Sequence, residues 1–136
     1  MNITMIICLI SDIEIRSIGC NIKKYAEACQ ANQIDLFKHP IVEMAPPKDL
    51  AQWNADVVRR AVAHITEGKG NVLLHCRGGI GRAGTLACNI LSSLFEFKTS
   101  KAVIQYVRDH RDKKCVESMK QADFVEKFHK FVRAQG

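Results

Sequence analysis

Asn71-Val72-Leu73-Leu74-His75-Cys76-Arg77-Gly78-Gly79-Ile80-Gly81-Arg82-Ala83-Gly84-Thr85-Leu86 is the stretch from which the rest of the chain can be read. Its first four residues are short and apolar and follow the turn-like Glu67-Gly68-Lys69-Gly70, as expected of a buried strand. Beyond Thr85, Leu86, Ile90, Leu91 and Leu94 recur at helical spacing. Residues 75–85 therefore lead from the end of a strand into the start of a helix. A helix start presents backbone N–H groups with no intrahelical partner, and its dipole adds about half a positive charge. Gly78, Gly79 and Gly81 let that backbone curl into a nest, so the stretch predicts a cradle for a tetrahedral oxyanion.

Cys76 enters the cradle and Arg82 closes it. Taken singly, a cysteine in an apolar strand is an inert packing residue and glycines after a strand make a turn. The conjunction of cysteine, glycines and arginine at fixed offsets carries the functional reading. A helix start and a nearby cation can lower a thiol pKa from about 8.5 to roughly 3.5–7.5, which would make Cys76 a standing nucleophile. Arg82, with five residues between it and Cys76, could hold two phosphate oxygens with its planar guanidinium while sulfur attacks phosphorus in line.

His75-Cys76-x-x-Gly79-x-x-Arg82 is similar to the His-Cys-x-x-Gly-x-x-Arg signature of cysteine-dependent protein tyrosine and dual-specificity phosphatases. From about Ile34 to Val132 the chain also resembles the kinase-associated phosphatase branch, enzymes acting on cyclin-dependent kinases. His39-Pro40-Ile41, Gly78-Gly79-Ile80-Gly81-Arg82, Val107-Arg108-Asp109-His110-Arg111 and Met119-Lys120-Gln121 through Phe128 carry that resemblance. It is weakest over the first thirty residues.

The resemblance implies a phosphatase working through a cysteinyl-phosphate. Cys76 would attack, while Arg82 and the backbone N–H groups of Arg77, Gly78, Gly79, Ile80, Gly81 and Arg82 would hold the oxygens. His75 would support the loop, although a strand histidine bonded to a carbonyl needs no such role. Gln121 falls where related enzymes position water, and a surface glutamine would otherwise need no explanation. No metal or organic cofactor is implied. The substrate would be a phosphorylated protein, a kinase among the candidates.

A general acid must protonate the leaving alkoxide or phenoxide, a role worth about 10²–10⁴ in rate. The resembling enzymes place an aspartate after Pro-Ile-x, where this chain has Glu43 on the loop Pro40–Asp49. Asp49 is the rival acid, but Asp49-Leu50-Ala51-Gln52 also reads as a helix cap, the favoured reading. Asp35 reads as the solvent face of a strand. Ala83 departs from the family, which has Ser or Thr after the arginine to support the leaving thiolate. Thr85 matches a second hydroxyl position. The expectation is a phosphoenzyme that forms normally and breaks down slowly.

The 136 residues, 47% hydrophobic, fit a single phosphatase domain over 1–136, with the possibility that elements ahead of the first strand are missing left open. A net charge of +6 suits anionic ligands; the basic residues are dispersed and aromatics reach only 7%, so nucleic acid is not expected. Six cysteines without a C-x-x-C pair suggest reduced thiols, no zinc site and a cytoplasmic or nuclear setting. Thr4–Ile10 is too short to span a membrane and reads as a strand. Ser11-Asp12-Ile13-Glu14 fits a capping box, with Gly19 as a helix stop. Helix 22–33, strand 34–39, helix 50–66, a helix capped by Thr99-Ser100 and helix 118–134 complete the order. That order predicts an α/β fold with a mainly parallel sheet and helices on both faces.

Further readings keep Cys20 and Cys29 as packing residues, put Arg59, Arg60 and His64 on or near the outer side of their helix, and make Arg108, Arg111, Lys113 and Lys114 a basic cluster. A phosphate-binding adaptor without turnover, or a phosphatase of phosphoinositides or RNA 5′-phosphates, stays open beside the protein phosphatase. Oligomeric state is not legible.

Overall fold

Ile3–Cys8, rich in β-branched residues, forms the central strand β1. The computed structural model describes residues 2–77 and 80–135. Strands β2 (Asp35–Lys38) and β3 (Asn71–His75) flank β1, both parallel to it. Ile6 lies opposite Leu36 and Leu73, and Ile7 opposite Phe37 and Leu74, so alternate residues face opposite sides.

Six helices occur among the described residues: α1 (Asp12–Ser17), α2 (Ile22–Ala31), α3 (50–66), α4 (Gly81–Leu94), α5 (Ser100–His110) and α6 (Met119–Gln135). On one face Leu36 and Lys38 line a cavity with Ile22 and Cys29 of α2. On the other, Phe37 lies under the Arg60 guanidinium, 4.0 Å from the ring centroid, and His39 meets the edge of Trp53 on α3. The α/β sandwich with helices on both faces is therefore as expected. Its main core gathers Met5, Ile7, Leu9, Trp53, Leu86 and Phe128; a second core joins α4, α5 and α6 through Cys88, Val103, Cys115 and Val125.

Caps set several boundaries. Ser11 and Glu14 form the capping box of α1, at 3.2 and 3.4 Å, and Thr99 caps α5. Asp49 Oδ1 accepts the Gln52 N–H at 3.1 Å, so Asp49 does cap α3. Gly19 ends the α1 segment with φ +84, a conformation suited to glycine.

Some expectations are corrected. β1 ends at Cys8, though Leu9 stays hydrogen-bonded to His75 and Ile41 and both Leu9 and Ile10 remain buried. Helix α2 stops at Ala31, and Gln33 takes a positive φ before β2. Within α3 the segment Asn54–Val58 is a π turn, whose wider winding shifts the buried stripe. Ala61, Val62 and His64 face inward while Ile65 is 40% exposed. His64 is thus buried rather than outward, its Nε2 2.6 Å from Thr4 Oγ1. In α5, Val103, Ile104 and Val107 are buried while Ala102 is exposed. Cys20 is exposed, so only Cys29 of that pair is a packing residue. Arg108 leaves the basic cluster: its Nε and Nη2 donate to the carbonyls of Cys115 and Val116 at 2.8 and 2.9 Å. This clamp holds the 115–116 backbone against Gly84, where a Cβ would stand 3.1 Å from the Val116 nitrogen.

Candidate active site

The carboxyl end of β3 delivers Cys76 directly beneath the first turn of α4. Cys76 is buried, and its Sγ accepts the Ala83 backbone N–H at 3.4 Å. No side chain caps α4. The N–H groups of Gly81 and Arg82 therefore stand at the positive end of a 14-residue helix with no side-chain acceptor among the described residues. An anion seated there would meet sulfur and helix dipole together. Arg77 is exposed and Ile80 half-buried; Gly78 and Gly79 lie outside the described residues.

Arg82 is only 3% exposed, and its guanidinium is already held on two sides. Nη1 and Nη2 donate to the two Glu14 carboxylate oxygens at 2.9 Å each, and Nη1 also donates to the Ile41 carbonyl at 2.8 Å. A guanidinium carries five N–H bonds. Glu14 takes the end of the fork and Ile41 the spare Nη1 hydrogen, which leaves Nε–H and the outer Nη2–H, parallel along one edge, without a partner among the described residues. That is the edge a phosphate can grip bidentately. The Arg82 guanidinium holds the Glu14 carboxyl below its ordinary value against the opposing effect of burial, and Glu14 raises Arg82 in turn.

Glu14 is the functional residue that sequence reasoning missed. Its local pattern was fully explained by the capping box, and Oε1 does accept the Ser11 N–H at 3.4 Å. What places it in the site is the sheet. Cys8 pairs with His75, so the helix that starts after β1 stands beside the loop that follows β3.

Glu43 lies on the loop that follows β2. Pro40–Asp49 begins in register with the sheet, the Ile41 N–H donating to the Leu9 carbonyl at 3.0 Å. It then turns tightly between Val42 and Ala45, with Met44 at φ +65, as at the third position of a type II turn. Glu43 occupies the corner of that turn, is exposed, and is near enough to Arg82 to act on its charge. Ser118 Oγ donates to the Met44 carbonyl at 2.7 Å, tying the turn to the start of α6. Asp49 is engaged by its cap and Asp35 is exposed on β2, as expected.

The supporting residues are distributed unevenly. His75 Nε2 lies 2.6 Å from the Tyr25 hydroxyl, a side-chain partner in place of the expected carbonyl. Burial lowers the His75 pKa, opposed by a backbone contact with Cys76, and burial raises the Tyr25 phenol. Gln121 is buried, not on the surface. Its Oε1 accepts the Glu117 and Ser118 N–H groups at 2.8 and 3.1 Å, while Nε2 has no hydrogen-bond partner among the described residues. A Cβ on Gly81 would lie 3.1 Å from that amide, so Gln121 does stand against the loop. Thr85 does not reach the sulfur: its hydroxyl donates to the Gly81 carbonyl at 2.9 Å.

A buried cysteine under an uncapped helix start, an arginine with one free edge and a carboxylate on a neighbouring turn, set on a parallel α/β sheet, define a cysteine-based phosphatase domain of the dual-specificity type. The comparisons place it more narrowly. Residues 1–130 match the family described as "PTP-SAK: Swiss Army Knife protein, DSP-PTPase phosphatase domain", and the chain belongs to that family. It is 25% identical over 105 residues to cyclin-dependent kinase inhibitor 3 of Rattus norvegicus, spanning 71% of this chain and about half, 48%, of that relative. Among solved structures, kinase-associated phosphatase with its catalytic cysteine changed to serine superposes with a TM-score of 0.83 at 21% identity, covering 97% of this chain and 71% of that one. Tk-PTP in its active form gives 0.78 at 21% identity over 94% and 79%. PTPMT1 in complex with PI(5)P gives 0.73 at 17% identity over 98% and 80%.

Proposed function

We propose that this domain hydrolyses phosphate monoesters on proteins, in a reducing compartment such as the cytosol or nucleus. The observation that carries the proposal is that Arg82, held by Glu14 and Ile41, keeps its Nε/Nη2 edge without a partner among the described residues, in the first turn of the helix that lies over Cys76. In the reading, the phosphate seats on the N–H groups of the loop and the α4 start, gripped by that edge. Cys76 Sγ attacks phosphorus as the ester oxygen departs, and Glu43 gives that oxygen its proton. Glu43, now a carboxylate, takes a proton from water as water attacks the cysteinyl-phosphate, releasing inorganic phosphate and the thiolate. Gln121, with its amide against Gly81, is placed to orient that water. The Ala83 N–H is the one hydrogen bond to sulfur among the described residues, and no hydroxyl supports the departing thiolate. Breakdown of the intermediate is therefore the slow step. The likeness to cyclin-dependent kinase inhibitor 3 and to kinase-associated phosphatase supports a phosphorylated kinase as one substrate class.

The test is release of p-nitrophenol from p-nitrophenyl phosphate in a reductant, with rapid mixing and Cys76→Ser as control. The expected result is a burst near one equivalent per protein, then slow turnover, both abolished by Cys76→Ser. Turnover unaffected by Cys76→Ser would overturn the nucleophile assignment. Turnover without a burst would overturn the slow step. No turnover, with phosphopeptides still bound, would make the domain an adaptor.

A further inference from the structure

Beside the reaction centre a groove of about 590 Å³ runs between the end of the Glu43 loop and the outer face of α6. Its floor is apolar, from Pro46, Pro47 and Phe124. Its rim carries Lys48, Lys120 and Lys127, all exposed and none in an ion pair among the described residues. Asp123 is the one carboxylate lining it, so three cations face one anion. Glu117 stands nearer the loop, against Gly81. Ser118, just ahead of α6, bonds the Met44 carbonyl and so joins the Glu43 turn to the helix that lines the groove. There Met119, 82% exposed, and the exposed Val42 and Met44 leave apolar surface uncovered.

We infer that this groove binds an acidic segment of the protein substrate, next to its phosphorylated residue. The inference rests on the phosphatase reading and adds the sequence class of substrate. Lys120 and Lys127 are seven helical residues apart, about 10 Å. An extended peptide sets every second side chain on one face, so residues i and i+4 lie about 13 Å apart on it, within reach of two flexible lysines about 10 Å apart. A segment with Asp or Glu at i and i+4 meets both lysines, and an apolar side chain at i+2 meets Pro46, Pro47 and Phe124. Charge complementarity steers the encounter and sets register more than it adds affinity, so the effect belongs mainly to kcat/KM.

Two phosphopeptides test this, identical except that Asp and Glu flanking the phosphoresidue are replaced by Asn and Gln in one. At low salt the acidic peptide should be turned over with a kcat/KM about tenfold higher, the sum of a few exposed pairs. That preference should vanish near 1 M salt, where the screening length is about 3 Å. Lys120→Glu with Lys127→Glu should reverse it while leaving p-nitrophenyl phosphate turnover unchanged. Equal use of the two peptides, or equal loss on both, would overturn the inference. So would loss of binding to anionic lipid vesicles in the double variant with peptide preference intact, which would assign the face to a membrane. If wild type fails on p-nitrophenyl phosphate, the phosphatase reading falls separately. Binding of the same peptides to Cys76→Ser then still decides the groove, a tighter grip on the acidic one supporting it.

Discussion

Glu14 grips Arg82 and Glu43 lies near enough to act on its charge, and the chain treats the two carboxylates differently. Glu14 sits in a helix start that its own side chain helps cap, and it grips both terminal nitrogens of the guanidinium. Glu43 rides an exposed turn anchored through the Ile41 carbonyl on one side and Ser118 on the other, with no partner of its own among the described residues. One carboxylate is spent on holding the anion site in shape before any substrate arrives. The other, with no partner of its own among the described residues, is the one that gives and takes the proton in the proposed mechanism.

The comparison breaks most visibly at Glu43. Glu43→Gln should lower kcat/KM, which reports formation of the cysteinyl-phosphate, by about 10²–10⁴ on phosphoserine peptides, whose alkoxide needs a proton, and by much less on p-nitrophenyl phosphate. Inhibition by inorganic phosphate should be unchanged. Equal losses of kcat/KM on both substrates would remove Glu43 from the acid role. Glu14→Gln should cost about ten- to hundredfold in kcat/KM on both substrates, as Arg82 loses its orientation. Here inhibition by phosphate should weaken in parallel, with circular dichroism unaltered. If phosphate inhibits Glu14→Gln as well as wild type, Glu14 is a helix cap and nothing more.

The smallest effect is thermodynamic. The Glu14 carboxyl is held below its ordinary value when folded, so its contribution is fully present above the ordinary carboxylate range and is lost as pH falls through the lowered value. Urea unfolding at neutral pH should show Glu14→Gln less stable by about 1–3 kcal/mol, a gap that narrows on acidification. A gap constant with pH would mean that the charge of Glu14 contributes nothing to the fold.

The sequence disclosed these two carboxylates unequally. Glu43 was found through its place after Pro-Ile in a resembling pattern, and Cys76 and Arg82 through short, fixed spacing within one loop. Such spacing survives in the sequence because a single turn builds the site. Glu14 was hidden because its partner is brought to it by parallel pairing of β1 with β3, and the capping box already accounted for its presence. His64 and Arg108 were misread for a related reason. Both are polar residues at helix positions, and only tertiary contacts with Thr4 and with the 115–116 carbonyls turn them inward. The π turn in α3 left no mark at all in an apolar pattern that reads as an ordinary helix.

The grip of Glu14 on Arg82 joins residues 68 positions apart, and that of Arg82 on Ile41 joins residues 41 apart. Contacts this distant in sequence close late, because the loop entropy must be overcome before they form. A chain emerging from synthesis therefore carries its nucleophile loop as an unaligned segment until β1 and β3 have met. Recovery of catalytic rate during refolding should accordingly lag behind the recovery of helix signal, and the domain's own turnover becomes a clock for the completion of its sheet.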